Sequence, residues 1–162
     1  MYDFQFSDVS LTAWVLMYQT WSAMYRAEER RFAKIGLTPE KVDVLWLCRI
    51  HPGPLTPAEI ARVYFRKGQS VAGLLNRMER EGLVRRVPKR KGRPFTEIQL
   101  TPRGEELCPR GIEATTALVT KVMSGFSEEE LEQLQKLLRK LRHNALKELN
   151  IELMPAPSYA GT

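Results

Sequence analysis

The chain has 162 residues, 43% of them hydrophobic, which is enough to bury a core without a metal or disulfide staple. Two cysteines (Cys48, Cys108) and two histidines (His51, His143) exclude a His/Cys metal cluster within one subunit. The formal net charge is +6, yet residues 62–93 hold 11 Lys or Arg against Glu79 and Glu81, so this segment carries +9 and the remainder −3 (6 − 9).

Concentrated positive charge of this kind attracts a polyanion, because each phosphate neutralised by Lys or Arg releases condensed counterions. The chain start lacks the basic residues and apolar run of a secretory signal. No apolar stretch approaches the roughly 20 residues of a membrane span. With two lone cysteines, the expectation is a soluble protein of the reducing cytoplasm.

Residues 8–35 read as one long helix, with Leu11, Trp14, Tyr18, Trp21, Tyr25 and Phe32 spaced by threes and fours, Ser7 as cap and Gly36 as stop. Thr38-Pro39-Glu40 opens a second helix carrying Val42, Val44, Leu45, Leu47 and Cys48, which ends at His51-Pro52-Gly53-Pro54. Leu55-Thr56-Pro57 repeats the cap-and-proline pattern for a short helix from Ala58 to Tyr64. After the Arg66-Lys67-Gly68 turn, a fourth helix over 69–81 places Val71, Leu74, Leu75 and Met78 on a narrow buried stripe, and Gly82 stops it.

Leu83 to Val87 and Thr96 to Leu100 read as two short strands around the basic loop Pro88 to Pro94. Thr101-Pro102 caps a fifth helix running to about Ser124, with a kink or interruption expected at Pro109 and Gly111. Ser127 to Glu130 forms a capping box for a sixth helix bearing Leu131, Leu134, Leu138, Leu141, Ala145 and Leu149. From Met154 to Thr162 the chain is Pro, Ala and Gly rich, a loose tail. The expected fold class is mainly α, with a small β element (α+β).

This order of elements resembles the MarR family of winged-helix transcription regulators across roughly residues 8–149. The likeness rests on Leu37-Thr38-Pro39, on Leu55-Thr56-Pro57-Ala58-Glu59-Ile60-Ala61, on Met78-Glu79-Arg80-Glu81-Gly82-Leu83-Val84-Arg85, and on Leu100-Thr101-Pro102-Arg103-Gly104. It implies a homodimer on a pseudo-palindromic duplex, with 1–36 and 102–150 as dimerisation region, 37–101 as DNA-binding lobe and 151–162 as flexible tail. It also implies a ligand pocket at the junction of the dimer and DNA-binding parts, whose occupation releases DNA. One departure stands out. The family places Asp-x-Arg in the wing shortly before the Leu-Thr pair, and here those positions hold Gly92 and Pro94. Arg90 or Arg93 is then expected to enter the minor groove in place of the missing arginine.

A major-groove helix reads bases with its exposed N-terminal face. With the apolar stripe buried, that face presents Gln69, Ser70, Ala72, Gly73, Asn76 and Arg77. Gln69 can pair bidentately with adenine, Ser70 can bond a base or a phosphate, and Ala72 suits a thymine methyl group. Gly73 sits where relatives carry a longer side chain and costs about 1 kcal/mol against Ala within a helix, a sacrifice consistent with close approach to DNA. Arg66, Lys67, Arg77 and Arg86 are expected on phosphates, and Lys89, Arg90, Lys91 and Arg93 form the basic wing.

The aromatic stripe of the first helix has two readings: core and dimer packing, or a pocket for a small aromatic or lipophilic effector lined by Trp14, Met17, Tyr18, Trp21, Trp46 and His51. No Gly-rich phosphate loop, Gly-x-Ser-x-Gly elbow or His-Glu-x-x-His motif suggests an enzyme, and no cofactor is implied. Two alternatives remain. One is a winged-helix protein-interaction module without specific DNA readout, and the other is a thiol-based redox regulator using Cys108, which has Arg103 and Arg110 nearby in sequence.

Overall fold

The first helix, α1 (Val9–Phe32), starts at Asp8, whose Oδ1 accepts from the amides of Ser10 (2.7 Å) and Leu11 (3.2 Å). Sequence reading places the cap at Ser7. The carboxylate one residue later reaches two orphan amides and brings a full negative charge to the positive end of the helix. The expected single helix over 8–35 is also corrected. After Phe32 the chain tightens into a 3-10 turn, Ala33–Ile35, and ends at Gly36 with φ +73°. These features come from a computed structural model, which describes residues 1–88 and 96–155.

The remaining elements are α2 (Pro39–Ile50), α3 (Pro57–Val63), α4 (Gly68–Arg80), β1 (Val84–Pro88), β2 (Thr96–Leu100), α5 (Pro102–Val122) and α6 (Glu128–Glu148). Thr56, Thr101 and Ser127 each cap a helix through the side-chain oxygen, and Ser127 with Glu130 completes the expected capping box. Thr38 holds the cap position of α2 but makes no capping bond, since its hydroxyl serves the Glu40 carboxylate. The strands pair antiparallel, with Val84 opposite Leu100 and Pro88 opposite Thr96. The amide of Ile98 donates to the Leu55 carbonyl (2.8 Å), tying the entry to α3 onto the outer edge of β2.

One expectation fails in α5, which runs unbroken through Pro109 and Gly111. Pro109 is exposed, so the Glu105 carbonyl that loses its helical partner lies on the solvent side. Gly111 is buried, and a Cβ there would come within 3.1 Å of Val42 Cγ1. It lets α5 lie close against α2. At the start of α5, Gly104 lets the helix lie against the segment between α4 and β1, where a Cβ would collide with the Leu83 carbonyl oxygen.

The core lies among α2, α3, α4, the sheet and the first half of α5. Leu45, Leu47, Ile60, Val71, Leu75, Met78, Leu83 and Val84 are its most enclosed members. The long helices at the two ends contribute little: α1 buries only Phe32, and α6 buries no residue. Among the described residues, no helix is long and apolar enough to cross a membrane.

Candidate nucleic-acid interface

The helix α4 is held from behind and bare in front. Val71, Leu74, Leu75 and Met78 sink into the core, as their spacing predicts. Burying four aliphatic side chains at about 1.5–3 kcal/mol each fixes the rotation of this helix about its axis. The opposite face is thereby set outward: Gln69, Ser70, Ala72, Asn76 and Arg77 are exposed, and Gly73 is half-buried. A Cβ at position 73 would lie 3.7 Å from Arg77 Nη1, so the Arg77 guanidinium folds back along the glycine. A Cβ there would meet Arg77 only at ordinary contact distance, so the fold itself does not require glycine at position 73.

Both ends of α4 are anchored to the lobe. At the C-terminal end, Lys41 Nζ on α2 pairs with Glu81 (2.7 Å), Arg103 Nη1 donates to the Glu81 carbonyl (3.0 Å), and the Thr101 hydroxyl donates to the Gly82 carbonyl. At the other end the α3–α4 turn is formed by Phe65, which adopts φ +50°. Its amide bonds the Arg62 carbonyl (3.2 Å), and the Arg66 amide bonds that of Ala61 (2.9 Å). This is the left-handed position a glycine usually takes after a helix, and holding a side chain there costs about 1–2 kcal/mol. Sequence reading missed it because no glycine marks the site.

The basic residues divide into paired and unpaired sets. Arg86 Nη1 meets Glu79 Oε2 at 2.7 Å while its amide donates to Glu79 Oε1 (3.2 Å), so this arginine is fixed beside the C-terminal end of α4. Arg62 pairs with Glu59 (2.9 Å), and Arg66 Nη2 lies 3.6 Å from Glu40 Oε1. Lys67, at the cap position of α4, and Arg77 are exposed and form no ion pair among the described residues. Lys89, Arg90, Lys91 and Arg93, with Gly92 and Pro94, lie outside the described residues.

Glu40 is the centre of a polar cluster that sequence reading did not single out. The Tyr25 phenol on α1 donates to Glu40 Oε1 at 2.6 Å, and the hydrogen bond, with burial second, pushes the phenol up to about 12. Burial by itself would raise the Glu40 carboxyl. Hydrogen bonds from Tyr25, its own amide and Thr38, together with the Arg66 charge, hold it below the ordinary value. Asp43, one turn further along α2, is pushed up to about 6, first by burial and then by Glu28, with Arg66 opposing. Glu28 on α1 is raised by burial and by Glu40. Tyr64 Oη donates to the Asp43 carbonyl (2.7 Å).

The six expected effector-lining residues are not all brought together. Trp14, Tyr18 and Trp21 share an exposed face of α1, Trp14 and Tyr18 touching with centroids 5.5 Å apart, and Met17 is half-buried. Trp46 is exposed on α2, and His51 ends that helix with Nδ1 3.0 Å from the Gly53 carbonyl. Two adjoining cavities of about 540 and 610 Å³ lie instead along the other side of α1, bounded by Met1, Ala23, Ala27 and Val122, and none of the six lines either. Cys108 is buried, which raises its thiol although Arg49 hydrogen-bonds it, and Cys48 is pushed up to about 12, chiefly by burial. Neither environment favours the reactive thiolate a redox sensor needs.

The family model described as MarR family matches residues 35–93, the span from the α1–α2 junction into the wing. The chain is 31% identical over 115 residues to the HTH-type transcriptional regulator PecS of Dickeya dadantii, covering 70% of this chain and 69% of that one. It superposes on the organohalide sensing RdhR transcriptional regulator in its 2,4-dichlorophenol bound form with TM-score 0.82 at 24% identity, over 97% and 95% of the two chains. The S. aureus MepR-DNA complex follows with TM-score 0.76 at 25% identity, over 81% and 96%. In this chain an exposed helix, locked by its apolar stripe, lies inside the most basic segment. This protein belongs to the MarR family of winged-helix, DNA-binding transcription regulators, and it is not an enzyme.

Proposed function

We propose that the protein is a homodimeric cytoplasmic repressor that occupies a pseudo-palindromic operator and leaves it when an aromatic or lipophilic small molecule binds. The observation that carries this reading is the division of apolar surface. The lobe over 37–101 covers its own core, while Trp14, Trp21, Leu137, Leu138 and Leu141 on the end helices stay 39–57% exposed. Large unshared apolar faces on both ends call for a partner surface, and a second copy brings the same faces. In that dimer residues 1–36 and 102–150 join the subunits, and two α4 helices reach half-sites roughly 34–36 Å apart; the expected tail over 151–162 lies beyond residue 155 outside the described residues.

Gln69, Ser70, Ala72, Gly73 and Asn76 read base edges. Arg66, Lys67, Arg77 and Arg86 serve phosphates, and the wing cations enter the flanking minor groove. The ligand-bound relative supports an aromatic effector, since 2,4-dichlorophenol occupies a regulator of the same fold. Trp14, Tyr18, Trp21 and Trp46 would report its arrival. The test is a panel of aromatic acids, phenols and chlorinated aromatics titrated into the complex with a genomic fragment selected by the protein. Quenching of tryptophan fluorescence and release of DNA over one concentration range is expected, because a shift requires different affinities for the two states. If no compound moves either signal, the exposed aromatics serve assembly and the protein is not a ligand sensor. A reporter gene behind the selected fragment, derepressed by deletion of the regulator, checks the sign of regulation.

A further inference from the structure

The cluster around Glu40 sits where α1 meets the turn that opens the reading helix, and Arg66 is its only cation among the described residues. Arg66 interacts with Tyr25 from α1 and with Glu40 and Asp43 from α2; Glu28 from α1 acts on Asp43 and is acted on by Glu40, and Tyr64 at the end of α3 bonds the Asp43 carbonyl. The contact to Glu40 is long, 3.6 Å, and the Arg66 side chain keeps 38% of its exposure, so the guanidinium is held loosely and within reach of solvent. Glu40 itself is 20% exposed at its side chain and pinned by the Tyr25 phenol at 2.6 Å. The carboxylate is the fixed partner and the arginine the mobile one.

We infer that this carboxylate cluster is an internal stand-in for DNA phosphate: Glu40, positioned by Tyr25, holds Arg66 in the free protein and yields it to the backbone when the reading helix docks. The inference rests on the reading that the α3–α4 turn meets the DNA backbone. Its physical basis is competition, since one guanidinium cannot serve an internal carboxylate and an external phosphate at full strength. The strained left-handed Phe65 immediately before Arg66 makes this turn the place where a small backbone change can redirect the side chain. Because Tyr25 belongs to α1, a movement of that helix alters how firmly Glu40 competes, and so links the end helices to the DNA face without a contact to DNA.

The cluster also gives the competition a pH dependence. Asp43, raised to about 6, carries a charge at neutral pH that helps retain Arg66, and acidification removes it. Glu28 is raised by burial and by Glu40, whereas Glu40 is lowered and stays ionised. Binding therefore gains from acidification through this cluster, over the range where Asp43 titrates.

The test uses the full chain and one duplex of fixed mixed sequence, with affinity measured against salt. Glu40→Gln should bind roughly two- to fivefold tighter, the range of a released, partly exposed ion pair. The slope of log affinity against log salt should stay as in the parent, because Arg66 reaches the same phosphate in both complexes, whereas Arg66→Ala should flatten it by about 0.9. In an Arg66→Ala background Glu40→Gln should no longer tighten binding. Asp43→Asn should tighten binding at about pH 7.5 and match the parent at about pH 5. Should Glu40→Gln prove unfolded on melting, Asp43→Asn with and without Arg66→Ala carries the same comparison.

Weaker binding by Glu40→Gln, or tighter binding that persists without Arg66, overturns the inference and makes the pair a structural clamp. A loss of slope in Arg77→Ala beside an unchanged affinity in Glu40→Gln overturns the inference alone. Unchanged slopes in both Arg77→Ala and Arg66→Ala overturn the assigned DNA face with it.

Discussion

The lobe of α2 to β2 and the pair of end helices are built from similar amounts of apolar material, and they treat it in opposite ways. In the lobe, Val71, Leu74, Leu75 and Met78 meet Leu45, Leu47, Ile60 and Leu83, and the chain covers its own hydrophobic surface. On α6, Leu137, Leu138 and Leu141 are spaced just as well for burial and remain open. Helical periodicity tells which residues share a face, and it is silent on whether the same chain supplies the cover. The lobe can hold a reading surface rigid by itself. In the proposed dimer, a second chain would close the end helices and hold two such surfaces in register.

The widest separation of the two regions comes from charging the open face. Leu138→Glu combined with Leu141→Glu should give a monomer in sedimentation and lower operator affinity by more than about 100-fold, because the second half-site no longer binds as an intramolecular event. A parent chain that sediments as a monomer at micromolar concentration would remove the comparison altogether.

Next in size is the cost of a hole in the closed core. Leu75→Ala should lose about 2–5 kcal/mol in urea unfolding, through transfer and cavity terms. Leu138→Ala should instead lower stability in a manner that depends on protein concentration, since its cover comes from another chain. Equal, concentration-independent losses at both sites would mean the end helices find their cover within one chain.

The reading face offers a finer division. Gln69→Ala should change preference at one base pair by about 1–3 kcal/mol, while Arg77→Ala should weaken all duplexes alike and lower the salt slope by about one. Uniform loss for Gln69→Ala would reassign that residue from reading to positioning.

The smallest effect belongs to the junction between the two regions. Asp43 is harder to ionise in the fold, at about 6, than in the unfolded chain, so its charge opposes folding above that pH. Stability from this group is lost as pH rises from the ordinary carboxylate range to about 6. Asp43→Asn should therefore melt above the parent at neutral pH, with the gap closing below about 6. A constant gap across that range would mean Asp43 does not titrate as its surroundings imply.

The helices, their order, the two strands and the buried stripe of α4 were legible in the sequence because each depends on neighbours within one or two turns: caps, prolines and spacing by threes and fours. The exposed reading face followed from that stripe, since burying four residues of a helix settles where the others point. Local rules failed where the answer depended on surroundings. Ser7 and Asp8 are both acceptable caps, and the geometry of the preceding segment chose the carboxylate. Pro109 reads as a break until the fold shows that its lost hydrogen bond faces solvent and that Gly111 lies against Val42. Arg66 and Arg86 are expected on phosphates from the sequence, and nothing in it signals that Glu40 and Glu79 pair with them in the fold. Glu79 is only seven residues from Arg86, but Glu40 is 26 residues from Arg66 (66 − 40) and Tyr25 is 15 from Glu40 (40 − 25). The sequence by itself determined the elements, the family and the exposed face of α4, because these arise from short-range periodicity and composition. The Tyr25–Glu40–Arg66 connection was decided only by tertiary structure, because it depends on packing three separate segments so closely that their polar groups must satisfy one another away from water.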